Sequence, residues 1–227
     1  SGGVPASMLS SLEVWDAQLA AAAARLVAAR VDVVARLRPW VMSSYERVSQ
    51  GQSSARLVYR SSLLVHEGRS EPDPADEGAR TVAEAELADV AATAARLETV
   101  MSRLREREID RGANLVGAHR DDLLLHLGAL PAKGFASHGE QWSLALALRL
   151  ASYEMLRRDV DAYGGDGEPV LVLDDVFASL DAGRRAALAD VVAGAQQVLL
   201  TAAVDEDVPA RLTGARFRVS ASGVSRE

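Results

Sequence analysis

Cysteine is absent from the 227 residues, which excludes a disulfide framework or a thiolate metal site and fits a reducing compartment. Aromatic residues make up only 4%. The 48% of hydrophobic residues are therefore mainly Ala, Leu and Val, as in helix-rich chains. No apolar run approaches the roughly 18 residues that a membrane-spanning helix needs. Ser1 to Ser11 carries no basic segment followed by an apolar one, so no secretory leader is expected. Lysine is nearly missing as well: Lys133 is the only one, and the remaining basic residues are arginines. With a net charge of −7, the chain lacks the basic surplus of an independent nucleic-acid binder, whose affinity comes from neutralising phosphates. Any DNA contact must be local. Length and composition fit a soluble, cytoplasmic protein of one or two domains.

What is present is periodic. Leu12, Trp15, Leu19, Leu26, Val33, Leu37 and Trp40 form a heptad-like stripe on an Ala-rich background, which predicts a long helix over Met8 to Val48 that Pro39 ends or kinks near Leu37. Arg25, Arg30, Arg36 and Arg38 are expected on its exposed side, as a solvated face rather than a DNA-facing one. Arg56 to His66 alternates like a strand, Gly68 to Gly78 reads as a surface loop, and Ala79 to Arg111 returns to helical spacing. Two long helices flanking one strand suggest an antiparallel helical arm over residues 1–111, with its inserted strand at about 56–66 free to join a neighbouring sheet.

Beyond Arg111 the pattern changes. Asn114 to Gly117 and Leu123 to Leu127 read as short strands and Gly139 to Tyr163 as an apolar helix. Val170 to Asp174 and Gln197 to Thr201 read as buried strands, Ala182 to Gly194 as a helix, and Arg216 to Val219 as a last strand. Alternating strands and helices predict an α/β lobe over 112–227 with a mostly parallel sheet.

Two constellations carry chemistry. Val170-Leu-Val-Leu-Asp174-Asp175 ends a strand in two carboxylates at the carboxyl edge of such a sheet, where α/β proteins place ligands. Asp174 there can hold a hydrated Mg²⁺, which takes one or two carboxylates together with phosphate oxygens. Asp175 can orient or deprotonate an attacking water; alternatively the pair simply caps the strand. Ser137-His-Gly139-Glu140-Gln141 opens the next helix, where unpaired N–H groups and the helix dipole favour a phosphate and Gly139 allows close approach. The competing reading is a capping box formed by Ser137 and Glu140. The run Gly117 to Asp122, with His119, Arg120, Asp121 and Asp122, reads as an ion-paired turn rather than a metal site, and His66 and His126 as structural.

The order of these elements, Ser137-Gly139-Gln141 loop, helix, Asp174-Asp175 strand, then Ala178-Ser-Leu-Asp181, resembles the signature, Walker-B and D-loop run of ABC-type ATPases. Gly134 to Arg149, Leu12 to Leu19, Tyr59 to Leu63, Gly117 to Leu123 and Val170 to Asp181 resemble the RecF family in order. The resemblance implies an ABC-type second lobe with an α-helical arm. It implies Mg²⁺ at Asp174 and a catalytic carboxylate at Asp175. Ser137 and Gly139 would meet the γ-phosphate of ATP held by a partner subunit, with Gln141 supporting the loop and Asp181 crossing a homodimer interface. Where many relatives place a switch histidine, this sequence has Leu200-Thr201-Ala202-Ala203, leaving Thr201 as a substitute. The family resemblance further implies binding to gapped DNA and single/double-strand junctions, partnership with the mediators RecO and RecR, recombinase loading, and roles in replication restart and the SOS response. No Gly-x4-Gly-Lys-Ser/Thr occurs, and Lys133, between Ala132 and Gly134, cannot supply a P-loop. These residues alone are therefore expected to form half of a weak DNA-dependent ATPase site, inactive in isolation. The rival readings are a nucleotide-independent module binding DNA or a mediator, and a piece of another ABC or chromosome-organising ATPase.

Overall fold

A computed structural model describes residues 6–49, 53–70, 73–159, 168–221 and 223–227. Helix α1 (Ala6–Ser49) is its axis, 44 residues long. Ala20, Ala23, Ala24, Val27, Val31, Val34, Val41 and Tyr45 are buried along one face, at the three- and four-residue steps that keep side chains on one side of a helix. The face that packs is thus the Ala/Val face. The expected Leu/Trp stripe lies beside it: Trp15, Leu26 and Val33 are exposed, while Leu19, Leu37 and Trp40 pack on the margin of the core. Pro39 does not end the helix. It removes one intrahelical donor, and Val34, Val41 and Tyr45 are buried on either side of it. Of the four arginines expected outside, Arg25 and Arg36 are exposed. Arg30 instead donates to Ala118 O. Arg38 donates to Leu57 O (3.1 Å) and through both terminal nitrogens to Glu84 (3.2 and 2.5 Å).

Strand β1 (Ala55–Arg60) pairs antiparallel with β2 (Asp122–Leu127), which pairs with β3 (Leu130–Pro131). The strand expected over 56–66 stops at Arg60, and Ser62–His66 is a short helix, α2. Asp121 causes the change: its carboxylate accepts from Ser62 N at 2.7 Å and from the Tyr59 phenol hydroxyl (Oη) at 2.6 Å, so a residue distant in sequence caps the helix. β1 joins this antiparallel sheet and not the parallel one. The Asn114 to Gly117 strand does not form, because side chains take its backbone groups. Glu108 accepts from Leu115 N, Leu115 O faces His66 Nε2, and Ser62 Oγ accepts from Gly117 N.

The helix expected over 79–111 is two, α3 (Glu77–Ala88) and α4 (Val90–Arg111). Asp89 stands between them in extended backbone and accepts from Ala92 N, an N-cap that starts a new helix. Gly112 closes α4 at φ 61°. α3 begins inside the loop expected over 68–78, capped by Asp76; residues 71–72 lie outside the described residues.

After the short turn α5 (Ala132–Phe135), α6 (His138–Arg157) lies between two cores. Leu144, Ala147 and Ala151 pack into the cluster around α1, whereas Leu146 and Leu150 join Leu173, Phe177, Leu180, Leu188 and Val191. Each fully buried Leu or Phe there contributes about 1.5–3 kcal/mol of transfer free energy. α6 ends at Arg157; Val160 to Tyr163, assigned to it above, lie outside the described residues.

β4 (Leu171–Asp174) and β5 (Val198–Thr201) are parallel, joined through α7 (Ala182–Val192), and their register sets Asp174 opposite Thr201. Among the described residues this is the one parallel pair, so the expected mostly parallel sheet is not seen. Nor is the pair buried on both sides. Leu173 is buried, yet Val172 and Leu199 on the opposite face are exposed, an unusual state for strands of a parallel sheet. β6 (Phe217–Ser220) pairs antiparallel with β7 (Gly223–Arg226), a partner not anticipated from sequence. No helix among the described residues is long and apolar enough to cross a membrane.

Candidate functional site

The carboxyl ends of β4 and β5 bring three of the singled-out residues together. Thr201 Oγ1 donates to Asp174 Oδ1 and accepts from Asp175 N at 3.1 Å, while Asp175 N also faces Thr201 O at 3.2 Å. One threonine thus fixes the orientation of both residues. Asp175 has φ 52°, in the left-handed region that few non-glycine residues other than Asn and Asp enter. The chain turns there sharply out of the strand into a 3-10 turn (Phe177–Ser179), anchored by buried Phe177. Both carboxylates are exposed at this edge. An exposed carboxylate steadied by a hydroxyl suits a hydrated Mg²⁺, which keeps its waters and takes few protein oxygens. No group of three or more metal-ligating side chains occurs among the described residues, so such an ion would depend on phosphate oxygens for the rest of its shell.

At the start of α6 the capping box is complete. Ser137 N and Oγ donate to Glu140 Oε2 at 2.8 and 2.7 Å, and Glu140 N donates to Ser137 Oγ at 3.3 Å. These bonds from the Ser137 hydroxyl and backbone hold the Glu140 carboxyl below its ordinary range, with the Arg184 charge adding to the effect. Gln141 Nε2 donates to Ala136 O at 2.8 Å, closing the loop that precedes the helix. Ser137 is exposed and sits at the positive end of a 20-residue helix, a place that favours an anion. A phosphate contact would require the Ser137 hydroxyl to turn its one proton from Glu140 Oε2 to a phosphate oxygen, while Ser137 N keeps hold of Glu140; the first-turn N–H groups, which have no intrahelical partner, would add donors.

Asp181 caps α7, accepting from Arg184 N at 2.9 Å. Arg184 is the residue that sequence reading missed. Its Nε lies 3.5 Å from Asp181 Oδ2, and a Cβ built on Gly139 would stand 3.1 Å from its Nη1. One guanidinium therefore lies against both the Gly139 backbone and the Asp181 turn, and a side chain at position 139 would have to displace it. A signal existed: Arg184 and Arg185 occupy the first turn of α7, where the helix dipole disfavours positive charge.

His119 and Arg120 lie apart from this edge, both facing Asn114 O (3.4 and 2.9 Å). Asp121 is engaged by Tyr59 and Ser62, which ties the 117–122 turn to β1 and α2 by hydrogen bonds. Desolvation, then the bond to Asp121, raises the pKa of Tyr59, so its hydroxyl stays a donor.

No family model matches the chain. It is 58% identical over 224 residues to the DNA replication and repair protein RecF of Beutenbergia cavernae, covering 99% of this chain and 55% of that protein. Similarity to RecF of Renibacterium salmoninarum is 48% over 219 residues, covering 96% of this chain and 54% of that protein. For Frankia alni RecF it is 50% over 218 residues, 96% and 52%. Among solved structures, the recombination mediator protein RecF with ATPrS superposes with a TM-score of 0.71 at 21% identity, covering 96% of this chain and 50% of that one. The ATP form gives 0.70 at 20%; these two likenesses establish the fold. The chain spans about half the length of the curated relatives it matches, and over that span it belongs to the RecF family.

Proposed function

We propose that residues 112–227 form the signature and Walker-B lobe of an ATP site, that residues 1–111 form a helical arm on it, and that the site is completed by residues this chain does not contain. The observation that carries this reading is the Arg184 guanidinium lying against both Gly139 and the Asp181 turn, together with a strand edge in the same span where Thr201 bonds the Asp174 carboxylate and the Asp175 backbone. In this arrangement Asp174 would hold Mg²⁺ through water, and bound Mg²⁺ would supply charge neutralisation at the phosphates. Asp175, turned out of the strand, would position the attacking water. Ser137 Oγ and the N–H groups beside Gly139 would meet the γ-phosphate of ATP bound to a partner subunit, and Gln141 would keep that loop shaped. Asp181 would cross the interface. ATP then acts as the joint of a homodimer.

The names of the relatives and neighbours, DNA replication and repair protein and mediator of the RecFOR pathway, support a cytoplasmic role on DNA. We infer that the complete protein binds gapped DNA and single/double-strand junctions, works with RecO and RecR in loading recombinase, and contributes to replication restart and the SOS response. Isothermal titration tests the half-site. The 227-residue chain should give no measurable heat with Mg-ATP, while the full-length protein binds. Tight binding by the 227 residues alone would overturn the proposal.

A further inference from the structure

The exposed stripe on α1 has the geometry of a second packing seam. Trp15, Leu19, Ala22, Leu26, Ala29 and Val33 follow one another at alternating steps of four and three, the a/d repeat of helices that cross at a small left-handed angle. Trp15 is 66% exposed, Leu26 45% and Val33 43%, and Ala22 and Ala29 are exposed too. Leu19 is half-buried at the edge of the core. The opposite border of the seam is polar, with Gln18, Arg25 and Asp32 exposed. It is therefore a rimmed apolar strip rather than scattered surface residues. The alanines at alternate positions let a neighbouring backbone come close, and the large residues between them offer knobs.

We propose that this seam is covered in the complete protein by one helix from the half of the RecF chain that these 227 residues do not span. The inference rests on family membership and on the length of the relatives, not on the ATP-site reading. The curated relatives are nearly twice as long as the matched span, so a comparable amount of chain is available as the occupant. Trp15 to Val33 covers about 27 Å at 1.5 Å per residue. The docked helix therefore needs about five turns, with apolar residues at a/d spacing and an acidic group facing Arg25. A second copy of the chain on the same seam is the competing occupant.

The test uses the full-length protein and the 227-residue chain in parallel. The sequence given has no cysteine, so Leu26→Cys introduces a thiol whose alkylation is followed by mass spectrometry at that site. Modification should be fast in the 227-residue chain and at least tenfold slower in the full-length protein under conditions where neither dimerises. Leu26→Glu with Val33→Glu should lower the melting temperature of the full-length protein by several degrees and leave that of the 227-residue chain unchanged, and Leu26→Met with Val33→Ile should restore it. Equal alkylation rates in the two proteins, or glutamates that are harmless in the full-length protein, would overturn the proposal. So would self-association of the 227-residue chain that the glutamates abolish, because the occupant would then be a second copy.

Discussion

Replacing Gly139 with alanine separates a structural role from a site role. Position 139 is the second residue of α6, in ordinary helical backbone, so alanine brings no backbone strain and reduces the freedom of the unfolded chain. In a helix interior that exchange is worth about 0.5–1 kcal/mol, less in a first turn. Against it, the new Cβ would sit 3.1 Å from Arg184 Nη1 and 3.4 Å from Nη2. The guanidinium is the far end of a flexible side chain and can swing away, giving up its 3.5 Å contact with Asp181. Asp181 is 59% exposed on its side chain, and such surface pairs contribute about 0–1 kcal/mol. The two effects nearly cancel, so the melting temperature of the 227-residue chain should move by less than about 3 °C. In the full-length protein the same methyl stands where a phosphate oxygen should approach. ATP-dependent dimerisation, followed by sedimentation velocity, should weaken by about tenfold or more, as for loss of one phosphate contact of roughly 1.5–3 kcal/mol. Wild-type dimerisation by Gly139→Ala would refute the close-approach role of this glycine. A large fall in melting temperature would refute the swinging of Arg184.

Arg38→Met should destabilise the fold by about 3 kcal/mol in denaturant titration, because Glu84 in a pair 14% and 10% exposed loses its bidentate partner. Nearby Arg80 relieves part of the charge, and adding Glu84→Leu should recover most of the loss. Phe177→Ala should cost about 3–5 kcal/mol by emptying the core under the carboxylate turn. Because the folded-state pKa of Glu140 lies below its ordinary value of 4.5, the stability its ionised form adds is fully present above that value and is lost as pH falls through the depressed one. Glu140→Gln should flatten that acidic limb of the stability profile.

The local hydrogen bonds of the candidate site residues were legible from sequence because their partners are local. Ser137 and Glu140 are three apart, Gln141 closes on Ala136, and Asp181 caps its own helix. The strands around Asp174 and Thr201 were also found, since a short β-rich apolar run ending in acids has few alternative readings. What escaped was decided at a distance. The helix Ser62–His66 depends on Asp121, 59 residues away, and the non-strand at Asn114 to Gly117 depends on Glu108, His66 and Ser62. Helical periodicity on α1 identified the helix but not its packed face, because two apolar faces coexist and only the neighbours α4 and α6 choose between them. The break at Asp89 was readable in principle as an Asp N-cap, yet the apolar spacing continues through it.

The central claim, that Ser137 and Gly139 serve ATP held by the other subunit, is tested most directly by mixing two inactive full-length variants. One carries Gly139→Arg, and the other lacks the lysine of the P-loop that the proposed ATP site requires outside these 227 residues. In a symmetric dimer, random mixing places half the population in heterodimers with one intact composite site, so about a quarter of wild-type ATPase activity should return. Activity that stays at the level of the separate variants would contradict the account.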